Sequence, residues 1–157
     1  MLKTTDTKNG VFDMGFREKS NIAMLVLTGG VYAWYFASTA NVLLGGGVSA
    51  EEALELTNTK MLLTVGAVII ASIVAHIALA IAAPSEAEEA ADERDRLVEM
   101  RGDQRGGFVL ALFALAAMAS AMTAQPYYLI ANLVLAGLVA SELVKGVSKL
   151  IGYRRGV

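Results

Sequence analysis

Four apolar runs, residues 22–44, 61–83, 108–124 and 128–148, constrain this 157-residue chain more than any other feature. About 20 residues of helix cross a ~30 Å hydrocarbon core, and the runs approach or exceed that length. The third is the shortest and the richest in alanine. Lipid offers no hydrogen bonds, so a spanning segment must satisfy its own backbone as a helix or join a closed barrel. None of the runs alternates apolar with polar residues as a barrel strand does. The expected fold class is therefore all-α, a four-transmembrane-helix bundle forming one integral-membrane domain over 1–157.

The charges order the runs into a topology. Apart from Lys60, all 13 Lys and Arg flank the first span, fill the loop after the second, or cluster at the end of the fourth. Lys3, Lys8, Arg17 and Lys19 come first, then Arg94, Arg96, Arg101 and Arg105, then Lys145, Lys149, Arg154 and Arg155. The positive-inside rule counts such residues near span ends. It predicts both termini and the loop 84–107 in the cytoplasm, with 45–59 outside: a multi-pass protein of the bacterial inner membrane, N-in and C-in. Ser38-Thr39-Ala40 imitates a signal cleavage site, but the apolar run is longer than a signal core, so a retained span is expected. Cysteine is absent, which excludes disulfides and thiolate chemistry.

Local signals divide the chain further. Residues 1–20 form a polar N-terminal segment with scattered apolar side chains. Gly45-Gly46-Gly47 ends span one, and Ser49 with Glu52 has capping-box spacing, predicting a short external helix over about 50–56. Pro84 ends span two, and Ser85 with Glu88 repeats the S-x-x-E pattern, predicting a charged helix over 85–106. That helix is expected to run into span three, with a kink at Gly102, Gly106 and Gly107. Gln125-Pro126 predicts a tight turn making spans three and four a hairpin.

On a helical wheel, Glu88, Asp92, Asp95, Glu99 and Asp103 form one stripe of the charged helix. Arg94, Arg101 and Arg105 lie on the opposite side with Leu97 and Val98. Arginine buries its stem and keeps its head hydrated, so the basic face is expected against the membrane or the bundle, leaving the acids for the cytoplasm or a docked partner. A solvated helix obeying the charge rule is the simpler alternative. The stripe spreads its carboxylates over several turns, whereas a hard cation needs oxygens converging on a point. No metal or cofactor is expected.

Within the spans, His76 and Glu142 fall at similar expected depth, and Asn132 lies nearer the outside. Ionisable groups in lipid are costly and usually face the bundle interior, often in pairs. Two arrangements remain open. In one, His76 meets Glu142, with Ser72 and Ser141 nearby. In the other, Glu142 pairs with Lys145 one turn on and His76 bonds a neighbouring backbone or hydroxyl group. Gly29-Gly30 with Ala33 and Ala37, and the alanines of span three, supply small-residue faces for close packing. Tyr32, Trp34, Tyr35 and Phe36 lie too deep for an interfacial belt and are read as packing residues.

Phe16-Arg17-Glu18-Lys19-Ser20, Tyr32 and Tyr35, and the run Asp92-Glu93-Arg94-Asp95 continued by Glu99, Arg101 and Arg105 are similar to a group of small four-helix bacterial membrane proteins of unknown function. Such proteins are often encoded beside a small helix-turn-helix regulator. The resemblance covers most of the chain and implies a membrane protein that holds or tunes a cytoplasmic regulator; it carries no catalytic residues.

The expected function is a regulatory or accessory scaffold that docks its partner through the charged helix. A small transporter or channel using His76 and Glu142 is the alternative. No nucleophile–base motif is present, so no enzymatic activity is expected. The expected partners are the lipid bilayer, a cytoplasmic regulator or membrane-complex component, and a second copy of the chain, without direct contact to nucleic acid.

Overall fold

The computed structural model describes residues 16–82, 84 and 92–155. The described residues form four helices: α1 (Phe16–Leu43), α2 (Ala50–Ala82), α3 (Glu93–Met122) and α4 (Tyr127–Arg155). All four are long and apolar enough to cross a membrane. The polar segment 1–15, the capping pair Ser85 and Glu88, and the stretch 85–91 of the expected charged helix lie outside the described residues.

The ends of α1 and α3 and the starts of α2 and α3 have identifiable causes, whereas Pro84, expected to end the second span, is itself helical. At the end of α1, Gly46 N–H bonds Asn41 O (2.8 Å) and Gly45 N–H bonds Val42 O (3.2 Å). This pair of bonds is the Schellman pattern, which needs a left-handed residue just past the helix. Gly45 supplies it with φ +86°. Ser49 Oγ then accepts from Glu52 N–H at 3.2 Å and starts α2. The short external helix expected over 50–56 is not separate but forms the first turns of α2. No Gly or Pro interrupts the sequence from Leu56 to Lys60, and Thr57 is buried with its hydroxyl bonded back to Ala53 O at 2.7 Å.

α3 starts at Asp92, whose carboxylate accepts from Asp95 N–H at 2.7 Å. It then continues to Met122 as one helix through Gly102, Gly106 and Gly107, where the sequence suggests a kink. Its end repeats the α1 pattern: Gln125 N–H bonds Ser120 O and Ala124 N–H bonds Ala121 O. Here a non-glycine residue, Ala124, takes the left-handed position with φ 54°. The turn brings α4 back antiparallel to α3, as the Gln125-Pro126 signal predicts.

α4 is the shared neighbour, packing along α3 on one side and against α1 and α2 on the other. Its buried face carries Asn132, Leu135, Gly137, Val139, Ser141, Gly146 and Ser148, which are mostly small. Small side chains let helix backbones approach closely, and that is the main source of helix association where lipid is as apolar as leucine. The compact apolar core is Tyr32 and Tyr35 from α1 against Leu135 and Val139 from α4, with Met61, Val65 and Val68 of α2 along its edge. Trp34 points outward, so the aromatic cluster of span one is divided between core and surface.

The glycines of α3 are a packing seam. A Cβ at Gly106 would stand 2.9 Å from the backbone oxygen of Ser141, whose own hydroxyl donates to Gly106 O at 2.9 Å. Gly107, one residue on, has open space around it. Gly106→Ala should therefore destabilise the purified protein by about 1–3 kcal/mol, the usual cost of overpacking against something that does not yield. Gly107→Ala should be neutral or stabilising, because alanine favours the helix by about 1 kcal/mol. Thermal unfolding in detergent checks both; equal effects would contradict the seam.

Candidate functional site: a mixed-charge cleft at one end of the bundle

Polar side chains gather in two places. The first is a buried contact far from the charged end. Tyr35 is fully buried, and its hydroxyl donates to Asn132 Oδ1 at 2.7 Å. Asn132 in turn donates to Tyr128 O at 2.7 Å. Asn132 thus joins α4 to α1, and Thr57 of α2 presents its carbonyl 3.5 Å from the same tyrosine hydroxyl. A polar atom in a dry interface costs more unpaired than it contributes when paired. This contact therefore selects one register of the three helices.

The second gathering is the charged end. The first turns of α1, the last turns of α4 and the first turns of α3 meet there. Arg17 places Nε 3.4 Å from Asp95 and Nη1 3.1 Å from Glu99. Asp103 sits between Lys145 (3.7 Å) and Lys149 (3.6 Å). Arg154 reaches Glu18 at 3.1 Å, closing α4 onto α1. The acidic stripe is thus turned toward cations of neighbouring helices, where the wheel alone predicts it facing outward. The reason is the seam: Val98, Gly102 and Gly106 face α4, and the acids lie on the flank of that seam nearest α1.

The basic side flanks the same seam on its other edge. Arg94 donates to Tyr153 O at 2.9 Å, and Arg105 donates to the Ser148 hydroxyl at 2.5 Å. Both are exposed residues whose side chains reach α4. Arg101 is exposed. Asp92 serves as the helix cap and is exposed, while Glu88 lies outside the described residues.

His76 and Glu142 line one cleft of about 500 Å³ between the helices at this end. Among the described residues no ion pair joins them. His76 Nδ1 lies 2.8 Å from Ser72 O, and Glu142 accepts from Lys145 Nζ at 2.8 Å. Ser141 bonds α3 instead. The remaining polar wall includes Arg17, Ser20, Asn21, Glu99 and Lys149, and Met24, Leu25 and Leu143 form an apolar side. Asn21 Nδ2 also donates to Gly146 O at 2.7 Å, at a level where Gly146 has no side chain to keep α1 away.

Lys149 and Arg17 are site residues that sequence reasoning used only for topology, whereas Lys145 was expected there as the partner of Glu142, the arrangement found. Their signal was present: Lys145 and Lys149 are one turn apart, like Asp95 and Glu99, and an antiparallel neighbour places such turns opposite each other. Exposed pairs of this kind contribute about 0–1 kcal/mol each, so they orient helices more than they stabilise them. Chemically, the cleft offers paired charges of both signs beside an apolar wall. Among the described residues no group of three or more Asp, Glu or His is placed to hold a metal ion. No protein-family model, curated protein or solved structure matches the chain.

The buried contact gives the site's clearest stability test. In a double-mutant cycle of Tyr35→Phe and Asn132→Ala, the coupling should be about 0.6–1.7 kcal/mol, the span from mean to maximum for interhelical hydrogen bonds in membranes. Unfolding of the four proteins in mixed micelles measures it, and strictly additive effects would exclude the bond as a register lock.

Proposed function

We infer that this chain is a small multi-pass protein of a bacterial inner membrane with its charged end and both termini in the cytoplasm. There it works as a regulatory or accessory scaffold, docking a partner through the charged part of α3. The single observation carrying this reading is how the sides of that helix are used. Asp95, Glu99 and Asp103 are held by Arg17, Lys145 and Lys149 and tie α3 to the bundle. The side turned away from α4 keeps Leu97 and Met100 exposed before the third apolar run begins, with Arg101 beside them.

Exposed apolar side chains grouped around an arginine resemble the composition of interface cores. This face carries one charge of each sign, Arg101 and Glu93, around Leu97 and Met100, and the occupant assigned to it is an amphipathic helix of a cytoplasmic regulator. Its apolar side covers Leu97 and Met100, and its carboxylates meet Arg101. In this reading the docking role passes from the acidic stripe to the opposite side of the helix, with the acids as positioning residues. The resemblance to membrane proteins encoded beside a helix-turn-helix regulator supports the same class of partner.

A photo-crosslinking residue at Met100 should capture one identifiable protein in cells. Arg101→Glu should reduce that capture about tenfold, equivalent to ~1.4 kcal/mol. The same crosslinker at Leu115, farther along α3, should not capture it. No capture from Met100, or capture indifferent to Arg101→Glu, would overturn the assignment.

The transporter reading is favoured by one specific observation, the shared cleft of His76 and Glu142. It requires flux of protons or small ions in proteoliposomes that is lost in Glu142→Gln. Wild-type flux in that variant, or none in the parent, would remove it.

A further inference from the structure

Docking on α3 makes no use of the cleft, and the cleft has a distinctive charge arrangement. Each of its lysines and its arginine has a carboxylate close by, Lys149 from Asp103 (3.6 Å) behind the lining and the other two from within it. Lys145 Nζ is 2.8 Å from Glu142 Oε1, and Arg17 Nη1 is 3.1 Å from Glu99 Oε1. An incoming anion reaches Lys145 only beside the carboxylate already bound there. A simple cation approaching Glu142 meets the reverse problem. At a few ångströms such like-charge contacts cost as much as the attraction gains. A ligand carrying both signs escapes this, because it replaces one internal pair with two matched contacts.

The pairs are open enough to exchange, with side-chain exposures of 28% for Lys145 and 59% for Glu142. The rest of the cleft adds a second requirement. Its lining follows α1 from Arg17 to Thr28, a rise of about 16 Å at ~1.5 Å per residue. Met24, Leu25 and Leu143 make part of that length apolar. A ligand filling it has a doubly charged head and a hydrocarbon portion. In a membrane-spanning bundle this end, with its cluster of Arg and Lys, lies where lipid headgroups lie.

We propose that the cleft binds a zwitterionic phosphoamine headgroup, a phosphate ester linked through two carbons to a primary ammonium, presented by a membrane lipid. The phosphate lies on Lys145 and Arg17, the ammonium on Glu142, and the chain along Met24, Leu25 and Leu143. The assignment rests on the membrane-spanning reading and is independent of any partner docked on α3.

The intact protein, purified in mild detergent, would be melted with phosphatidylethanolamine, with phosphatidylglycerol, or with soluble glycerophosphoethanolamine. Ligand that binds only the folded state raises the melting temperature as its concentration exceeds Kd. Phosphatidylethanolamine should raise it by several degrees and phosphatidylglycerol by much less. Glu142→Gln removes the ammonium partner at an exposed position and should shift the half-saturating phosphatidylethanolamine concentration about tenfold upward. Its melting without lipid should stay unchanged, which separates lost binding from lost folding. Lys60→Gln, at the opposite end of α2, should respond as the parent does. An equal response to phosphatidylglycerol, or a Glu142→Gln protein that responds like the parent, would overturn the proposal. A response to the soluble headgroup equal to that of the lipid would overturn the membrane source and leave a soluble phosphoamine as the ligand.

Discussion

Gly106 and Ser141 meet backbone to backbone, and the layout of the charged end follows from how closely they meet. With no side chain at Gly102 or Gly106, α3 lies against α4 so tightly that Lys145 and Lys149 must pass alongside it. Their stems cross the glycine positions, and their ammonium groups arrive beside Asp103. A larger residue at Gly106 would meet the Ser141 backbone and lift α3 away, and one at Gly102 would first displace the Lys149 side chain. Packing thus comes first in the causal order, and the ion pairs are its consequence. This fits the energetics, since exposed pairs contribute little on their own whereas backbone proximity in an apolar medium recruits many dispersion contacts.

The same logic explains which parts of the architecture were legible from sequence. Apolar run length and the absence of strand alternation lead directly to four helices, because lipid leaves the backbone no other arrangement. The caps at Ser49 and the turn at Gln125-Pro126 were legible because they rest on local chemistry. Neighbour identity was not. A wheel places Asp95, Glu99 and Asp103 on one stripe, but it does not say what stands opposite that stripe. Gly102 and Gly106 read equally well as a kink or as a seam, and only the position of α4 separates the two. The expected external helix at 50–56 fails for a related reason: a good start signal does not imply a stop, and Thr57 is buried where a break would have exposed it.

His76 and Glu142 illustrate a further limit on inference from spacing. Equal expected depth brings them to the same cleft, but each has a nearer partner on its own helix: Ser72 O one turn back and Lys145 one turn on. Local pairing wins because a neighbour three or four residues away is already held at contact distance, whereas a partner on another helix must be positioned by tertiary packing. Asn132 has both kinds of contact, bonding Tyr128 O on its own helix and Tyr35 across the interface. The difference is the surroundings. Asn132 is buried, and an amide has two donors and two acceptor lone pairs to satisfy, so one local bond leaves groups to pair. His76 and Glu142 border an open cleft.

The two gatherings of polar side chains therefore do different work in one bundle. The Tyr35–Asn132 contact is dry and joins α1 to α4, with the Thr57 carbonyl of α2 drawn in; it holds the helices in register. The charged end is open, with half-exposed ion pairs, and is fixed mainly by helix backbones. With the register fixed at the Tyr35–Asn132 contact, a ligand of the kind proposed would exchange with a pair at the charged end without touching that contact. The side of α3 away from α4 lies outside that exchange, because Leu97, Met100 and Arg101 point away from the seam. The proposed cleft ligand and the proposed partner on α3 would use different side chains, with Glu99 and Asp103 lying between the two surfaces. Those two carboxylates, placed between the cleft cations and the docking helix, are where occupancy of one surface would be felt at the other.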